Sequence, residues 1–149
     1  GYTFSHALAT RPDEVFYKDS LGRELTFRNT SSNPTGNFLK YRPKHLVRLD
    51  LQFEYDTWEA AVSGRYNSYL QNIDTAFICF PISFAVPGIQ TMRDKGKNGD
   101  YVIDLRIGKT YKKYKLMLIV NNLLNRVYMT RPCDVRPPRS IMLQVNWKL

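Results

Sequence analysis

Apolar side chains recur at every second position in several segments of the chain, and this period of two constrains the fold more than any other feature. In residues 46–55 the apolar positions are Val47, Leu49, Leu51, Phe53 and Tyr55, with polar residues between them. Residues 101–111 and 141–149 repeat the alternation. Because successive side chains of a β-strand point to opposite faces, the pattern predicts strands with one apolar and one polar face.

The alternation predicts six strands, and the connections between them differ in length. The predicted strands are residues 1–8, 46–55, 58–70, 101–111, 116–120 and 141–149. Tight turns are predicted at residues 56–57 and 112–114, whereas long connections cover residues 9–45, 74–100 and 129–139. Short turns at one end and long loops at the other are typical of transmembrane β-barrels, whose strands of about ten residues cross the bilayer at a tilt.

Two further features favour a membrane barrel over a soluble antiparallel sheet, which alternates in the same way. Aromatic residues cluster near the predicted strand ends, as interfacial girdles do, and the polar positions carry charges of both signs. Hydrophobic residues make up 43% of the chain, too many for a disordered segment, yet no run approaches the ~20 apolar residues of a helical span. The sequence therefore predicts an all-β fold, an antiparallel transmembrane β-barrel segment with long extracellular loops.

The first long connection contains a plausible hairpin at residues 14–27, with its turn near Gly22. Counting its two arms as wall strands would permit a complete barrel of about eight strands, the smallest that membranes contain. Residues 15–17 do not alternate and both arms are charged, so we predict an ordered extracellular loop instead. A small complete outer-membrane barrel with a structural or adhesin role, and a soluble β-sandwich binding module, stay open as alternative functions.

Four sequence landmarks resemble TonB-dependent outer-membrane receptors. Residues 120–128 (VNNLLNRVY) resemble the penultimate strand of that family, which commonly reads N-L-F/L-N/D-x-x-Y, and residues 136–149 resemble its closing strand. Residues 41–46 (YRPKHL) resemble a P-x-H entry into an earlier strand, and residues 86–89 (VPGI) resemble the loop before the strand that starts near Tyr101. The landmarks occur in family order and cover nearly the whole chain.

The resemblance implies that residues 1–149 are the last six strands of a 22-stranded receptor barrel, with the plug and the earlier strands absent from this chain. It implies active transport across the outer membrane of a Gram-negative bacterium, in which TonB-coupled energy carries a siderophore, haem, cobalamin or similar scarce nutrient. The implied partners are outer-membrane lipid, the remaining strands and plug, TonB through that plug, and the barrel-assembly machinery. Trp147 and Leu149 would form the assembly signal, although the family usually ends in Phe.

On this interpretation the two faces of each strand meet different surroundings, an outward apolar band and a polar interior. The residues predicted to face lipid are Val47, Leu49, Leu51, Phe53, Ile103, Leu105, Leu143 and Val145. The residues predicted to face the lumen and the plug are Arg48, Asp50, Arg65, Asp104, Arg106 and Gln144.

The sequence contains no recognisable catalytic constellation, so we predict that the protein is not an enzyme and holds no cofactor or metal. His6 and His45 have no second ligand at strand or helix spacing. Residues 109–115 interleave lysines with Tyr111 and Tyr114, but no nucleic-acid-binding motif accompanies them. We therefore predict that they flank a periplasmic turn and that nucleic acid is not a partner.

Cys79 and Cys133 fall in consecutive predicted extracellular loops. An envelope location permits a disulfide between them, but two independent small apolar residues fit the sequence equally well, because their Cα separation is unknown. Residues 76–89 are unusually apolar for an exposed loop. Two hypotheses account for them, packing against aromatic residues of other loops or contact with a ligand or surface partner.

Overall fold

The computed structural model describes residues 1–79, 84, 88–132 and 134–147. This part of the chain forms eight strands: β1 (Tyr2–Phe4), β2 (Val15–Lys18), β3 (Glu24–Thr26), β4 (His45–Tyr55), β5 (Trp58–Asn67), β6 (Asp100–Tyr111), β7 (Tyr114–Asn121) and β8 (Ser140–Trp147). A helix, α1 (Ile89–Lys95), and a 3-10 turn (Thr75–Phe77) lie between β5 and β6. The predicted all-β, antiparallel character is confirmed for these residues.

Six of the strands form one antiparallel sheet in the order β1-β4-β5-β6-β7-β8. From β4 onward each strand lies beside the next strand along the chain, so this part of the sheet is a meander. Asp56 and Lys112 begin the tight turns and adopt left-handed backbone conformations, with φ of 52° and 51°. Such conformations allow antiparallel strands to reverse direction within a few residues.

Several predicted strand ends are wrong. The strand predicted over residues 1–8 pairs with β4 only at Tyr2–Phe4, and the strand predicted over residues 58–70 ends at Asn67. Tyr114 belongs to β7 rather than to the preceding turn. Strand ends depend on where the neighbouring strand stops offering hydrogen bonds, which the alternation of one segment does not encode.

The hairpin predicted at residues 14–27 is present as β2 and β3. These two strands form a separate two-stranded sheet and do not extend the six-stranded one. Gly22 lies in the turn with φ of 78°, and the register shifts between Val15 and Tyr17, where the sequence does not alternate. The hairpin therefore adds no strand to the six-stranded sheet.

Burial is sparse in this fold. The buried apolar residues are Ile73, Ile89, Val102, Val120 and Tyr128. The chain exposes 10802 Å², whereas a compact monomer of 17.4 kDa exposes about 7,900 Å². The six-stranded sheet therefore does not fold around a conventional interior core.

Polar contacts hold the segment after β5 against the first long loop. Asn72 is 1% exposed, and its Nδ2 donates to the carbonyl oxygen of Phe38 at 2.6 Å. Lys40 Nζ lies 2.5 Å from Asp74 Oδ1, and the Tyr41 hydroxyl donates to the same carboxylate. These contacts fix the path of the chain where it leaves the sheet, beside the cavity described below.

Candidate ligand pocket and the two faces of the sheet

The strand register gathers the alternating apolar residues onto one face of the six-stranded sheet, which we call the apolar face. Leu51 of β4 lies beside Val62 of β5, and Val62 lies beside Leu105 of β6. Directly paired residues lie on the same face. All eight residues predicted to face lipid share the apolar face: Val47, Leu49, Leu51, Phe53, Ile103, Leu105, Leu143 and Val145.

Large side chains of the apolar face are exposed rather than covered by the rest of the chain. Leu51 is 59% exposed, Phe53 67% and Leu143 71%. A contiguous apolar surface of this extent marks contact with a protein or a membrane. The register shows that these residues share a face, and their contact with lipid stays a prediction.

The opposite face, which we call the polar face, carries the charged residues of the six-stranded sheet except Lys109. All six residues predicted to face the lumen share it: Arg48, Asp50, Arg65, Asp104, Arg106 and Gln144. Two ion pairs connect strands on this face, Arg65 Nη2 to Asp104 Oδ2 at 3.4 Å and Lys115 Nζ to Glu59 Oε2 at 2.8 Å. Neither pair was predicted from the sequence, which named Arg65 and Asp104 only as lumen-facing residues.

Aromatic residues line the apolar face at its short-turn end, and we call this group the turn rim: Tyr55, Trp58, Tyr111, Tyr114 and Trp147. The Tyr114 and Trp147 rings stack at 6.2 Å. Lys109 Nζ lies 4.4 Å from the centre of the Trp58 ring. Aromatic rings with lysines beside them suit a boundary between apolar and aqueous surroundings.

A second aromatic row crosses the apolar face at its loop end, where Tyr66 of β5 pairs with Tyr101 of β6. The stretch from Trp58 to Tyr66 is about 26 Å long at about 3.3 Å per residue. At a strand tilt of about 40° this corresponds to a height of about 20 Å, near the apolar band of about 25 Å that outer-membrane barrels present to lipid.

A cavity of about 880 Å³ opens on the polar face at its loop end. Strand residues that share the polar face form its floor: Leu46, Arg48, Asn67 and Asp100. Helix α1 contributes one wall and residues 124–132, between β7 and β8, contribute another. The cavity therefore exists because three separate long connections meet over one end of the sheet.

Positive charge dominates the lining of this cavity. Its basic residues are Arg48, Arg93, Lys95, Arg126 and Arg131, and its acidic residue is Asp100. Within the described ranges, no carboxylate oxygen lies within 4.0 Å of any of these five cationic groups. The lining thus has more positive than negative charge, and its acidic residue, Asp100, interacts electrostatically with Arg126.

Aromatic rings hold two of these arginines in place. Arg93 Nη2 donates to the Tyr69 hydroxyl at 2.7 Å, and the Arg93 guanidinium carbon lies 4.9 Å from the centre of that ring. The guanidinium carbon of Arg126 lies 4.5 Å from the centre of the Tyr101 ring, which belongs to the apolar face and does not line the cavity. Stacking of this kind fixes the orientation of a planar guanidinium group.

Sequence reasoning identified one of the five cationic pocket residues, Arg48, as a functional position. It missed Arg93, Lys95, Arg126 and Arg131, which lie in or beside the long connections. A surplus of arginine and lysine close to strand ends on the loop side was the available signal, but only the fold shows that these segments converge.

The remaining predicted sites are only partly described by the structure. Cys79 is exposed, while Cys133 lies outside the described residues, so their disulfide stays a prediction. Trp147 ends β8 within the turn rim, and Leu149 also lies outside the described residues. In the apolar segment 76–89, Ile89 is buried and lines the cavity, but most residues before it fall outside the described ranges.

The two histidines make contacts within the loop end of the sheet. His45 Nδ1 lies 2.9 Å from the Tyr2 hydroxyl, and the His6 ring meets the Phe38 ring edge-on at 5.9 Å. Across the residues that the structure describes, His, Cys, Asp and Glu nowhere form a group of three or more placed to hold a metal ion. No helix in those same ranges is long and apolar enough to cross a membrane.

Comparison with known proteins does not assign this chain to a family. No protein-family model matches it, and no curated protein matches it either.

Proposed function

We propose that this chain forms part of the β-barrel wall of an outer-membrane, TonB-dependent receptor that takes up a siderophore, haem, cobalamin or similar scarce nutrient. The observation that carries the proposal is the exposed apolar face, which lies between two aromatic rows and opposite a charged face. Exposing such a surface to water costs about 25 cal/mol per Å². Membrane hydrocarbon removes that cost, and a polar interior accommodates the opposite face.

The free edges of the sheet support a larger barrel. In the six-stranded sheet β1 and β8 each have a neighbour on one side only. Inside a bilayer every backbone N–H and C=O group needs a partner, and β-sheets meet this need only by closing. A 22-stranded receptor barrel would supply strands on both sides, and its plug would face the polar side of the sheet.

Two observations make the alternative functions less suitable. A β-sandwich buries one face of each sheet against the other, yet the apolar face is exposed and the second sheet of the described residues is the β2–β3 hairpin. A complete small barrel needs about eight strands, and the same hairpin does not join the six-stranded sheet.

The test of this proposal is whether the apolar face contacts lipid. Single cysteines replace Leu51 or Gln52 in the full-length protein, with Cys79 and Cys133 changed to serine. Each variant is labelled with a fluorescent probe and reconstituted into vesicles whose acyl chains carry bromine, a contact quencher. We expect strong quenching at position 51 and little at position 52, because adjacent residues of β4 lie on opposite faces.

Brominated and unbrominated vesicles are compared for each variant, so that differences in labelling do not affect the result. Equal quenching at the two positions, or quenching at position 52 alone, would contradict the membrane assignment. Failure of the protein to insert into vesicles at all, with both probes in water, would favour a soluble binding module.

A further inference from the structure

Lys109 is a charged residue on the apolar face of the six-stranded sheet. Its direct neighbours across the sheet are Trp58 of β5 and Leu116 of β7, and Tyr111 follows on the same face two residues later in β6. Within the strand residues that the structure describes, this face carries no other Asp, Glu, Lys or Arg. An ammonium group in this position needs a partner that the surrounding apolar side chains do not provide.

The described part of the chain supplies Lys109 with no acidic partner. No carboxylate oxygen there lies within 4.0 Å of its Nζ. Lys115, at the same end of the sheet, pairs with Glu59 at 2.8 Å, but that pair lies on the polar face. In the neighbouring β4–β5 turn, the Asp56 carboxylate contacts the Thr57 hydroxyl at 3.4 Å. The charge of Lys109 is therefore not neutralised on its own face by these residues.

The Trp58 ring holds the ammonium group of Lys109 at the edge of the apolar face. The Nζ atom lies 4.4 Å from the centre of that ring. Attraction to the face of an indole orients a cation but leaves its charge in place. A lysine has three N–H donors, so the group can contact the ring and bind an anion at the same time. Trp58 is 51% exposed, which leaves this edge open to a ligand.

The β6–β7 turn adds further positive charge beside Lys109. Lys112 and Lys113 follow Tyr111 directly, and Lys112 Nζ lies 5.5 Å from the centre of the Tyr111 ring. Across the described ranges, neither turn lysine has a carboxylate oxygen within 4.0 Å. Tyr111 is 62% exposed and carries a hydroxyl that can donate to an anionic oxygen. This part of the turn rim thus combines cations with an apolar surface.

An anionic phospholipid matches both properties of this surface. On the proposed barrel wall, the turn rim would lie at the boundary between hydrocarbon and headgroups. A lysine facing lipid is costly at the bilayer midplane but nearly free of cost at that boundary, where its ammonium group can extend to the headgroups. The lipid phosphate would bind Lys109, while the acyl chains would pack along Leu116 and the rest of the apolar face. A small soluble anion would leave that apolar surface unused.

We propose that Lys109 and Trp58 form a binding site for the headgroup phosphate of an anionic phospholipid, with Lys112 and Lys113 adding to the attraction. The inference rests on the proposed function, because it requires the apolar face to contact lipid. It adds to that function a preference for one class of lipid at one place on the wall. At Leu51, far from these lysines, the acyl chains of anionic and zwitterionic lipids would pack equally well.

Contact quenching by brominated lipids tests the inference. A single cysteine replaces Leu116, which lies beside Lys109, in the full-length protein with Cys79 and Cys133 changed to serine, and it carries a fluorescent probe. The vesicles contain zwitterionic phosphatidylcholine and anionic phosphatidylglycerol in equal amounts, with bromine on the acyl chains of one lipid or the other. We expect brominated phosphatidylglycerol to quench more strongly at position 116, and both lipids to quench equally at position 51. Added salt should reduce the difference at position 116, because screening weakens the attraction.

Three substitutions assign the preference to Lys109. Lys109→Gln should lower the relative affinity for phosphatidylglycerol about fivefold, the effect of one lysine close to an anionic surface. Lys109→Arg should preserve the preference, because the charge is kept. Lys115→Gln is the matched control, since it removes the same charge one residue from the probe but on the polar face. Heat-modifiable migration of each variant in electrophoresis verifies that it is folded.

Equal quenching by the two brominated lipids at position 116 would overturn the inference and leave the receptor proposal intact, because lipid contact would remain. The same loss of preference in Lys109→Gln and Lys115→Gln would also overturn it, as would the same preference at position 51. Absence of quenching by either lipid at both positions would remove the receptor proposal together with the inference. If Lys109→Gln fails to fold, the comparison of the two lipids in the protein that keeps Lys109 still decides the question.

Discussion

At the scale of the residue, neighbours in one strand lie on different faces of the sheet. Leu51 belongs to the apolar face and Gln52, the next residue of β4, belongs to the polar face. The loop residues follow ordinary rules of burial instead. Asn72 and Asp74 gather polar partners from the first long loop, as buried and half-buried polar groups generally do.

Tyr41 provides a test of this loop arrangement. Burial, together with the hydrogen bond to Asp74, raises the pKa of Tyr41 from 10.0 to about 12. Between pH 10 and 12 the folded state keeps a proton that the unfolded chain has lost, so this group's contribution to stability falls as pH rises through that window. Ultraviolet difference titration of the wild type against Tyr41→Phe should show a phase centred near pH 12. A phase centred near pH 10 would contradict the packing described here.

At the scale of the element, a glycine allows an ion pair to cross a strand. Gly108 of β6 lies between Glu59 of β5 and Met117 of β7. The Glu59 side chain passes over Gly108 and pairs with Lys115 of β7 at 2.8 Å. A Cβ atom on Gly108 would lie 2.5 Å from Glu59 Oε1. Because Gly108 has no side chain, the Glu59 side chain of β5 can cross β6 and pair with Lys115 of β7.

Gly108→Ala should displace the Glu59 carboxylate and separate it from Lys115. We expect the free energy of unfolding, measured by urea titration in lipid vesicles, to fall by up to about 1 kcal/mol, because the ion pair is partly exposed. The same substitution in a Glu59→Ala background should cost much less, because the displaced group is already gone. Gly64→Ala is the matched control, since the nearest atom to a Cβ atom there is 3.9 Å away. Equal costs in both Glu59 backgrounds would show that the ion pair does not depend on Gly108.

The sequence alone predicted those strands whose pattern depends only on residues next to one another in the chain. In β4 and β8 strict alternation predicted both the strands and the sharing of faces, because the side-chain period of a strand is fixed by its backbone. The end of β1 was not predictable, since it depends on how far β4 offers a partner. The cavity was not predictable either. Its arginines come from β4, α1 and the β7–β8 connection, and no local pattern indicates that these segments meet.

At the scale of the whole molecule, the two faces of the sheet differ in polarity. The apolar face lacks cover from the rest of the described chain, while the polar face holds ion pairs and a basic cavity. A soluble protein of this size would bury its largest apolar surface. In the proposed barrel wall the apolar face would stay exposed, because it would contact lipid rather than water.

Placing an arginine on each face of the sheet, and measuring the change in the free energy of unfolding, tests this arrangement. Leu51 lies in the row of residues midway between the Tyr55–Trp58 pair and the Val47–Tyr66 pair, so the proposal places it near the middle of the bilayer. Leu51→Arg should lower the free energy of unfolding by about 2–4 kcal/mol, the cost of an arginine at the midplane of an outer-membrane barrel.

Gln52→Arg should lower that free energy far less, because the added guanidinium would extend into a wet interior beside other charged groups. Leu105→Arg, on the apolar face two strands away, should reproduce the large effect and show that it belongs to the face rather than to one position. All three variants are compared with the wild type by urea unfolding in the same vesicles. Equal losses of unfolding free energy at positions 51 and 52 would contradict the proposal that one face of β4 contacts lipid while the other faces a polar lumen.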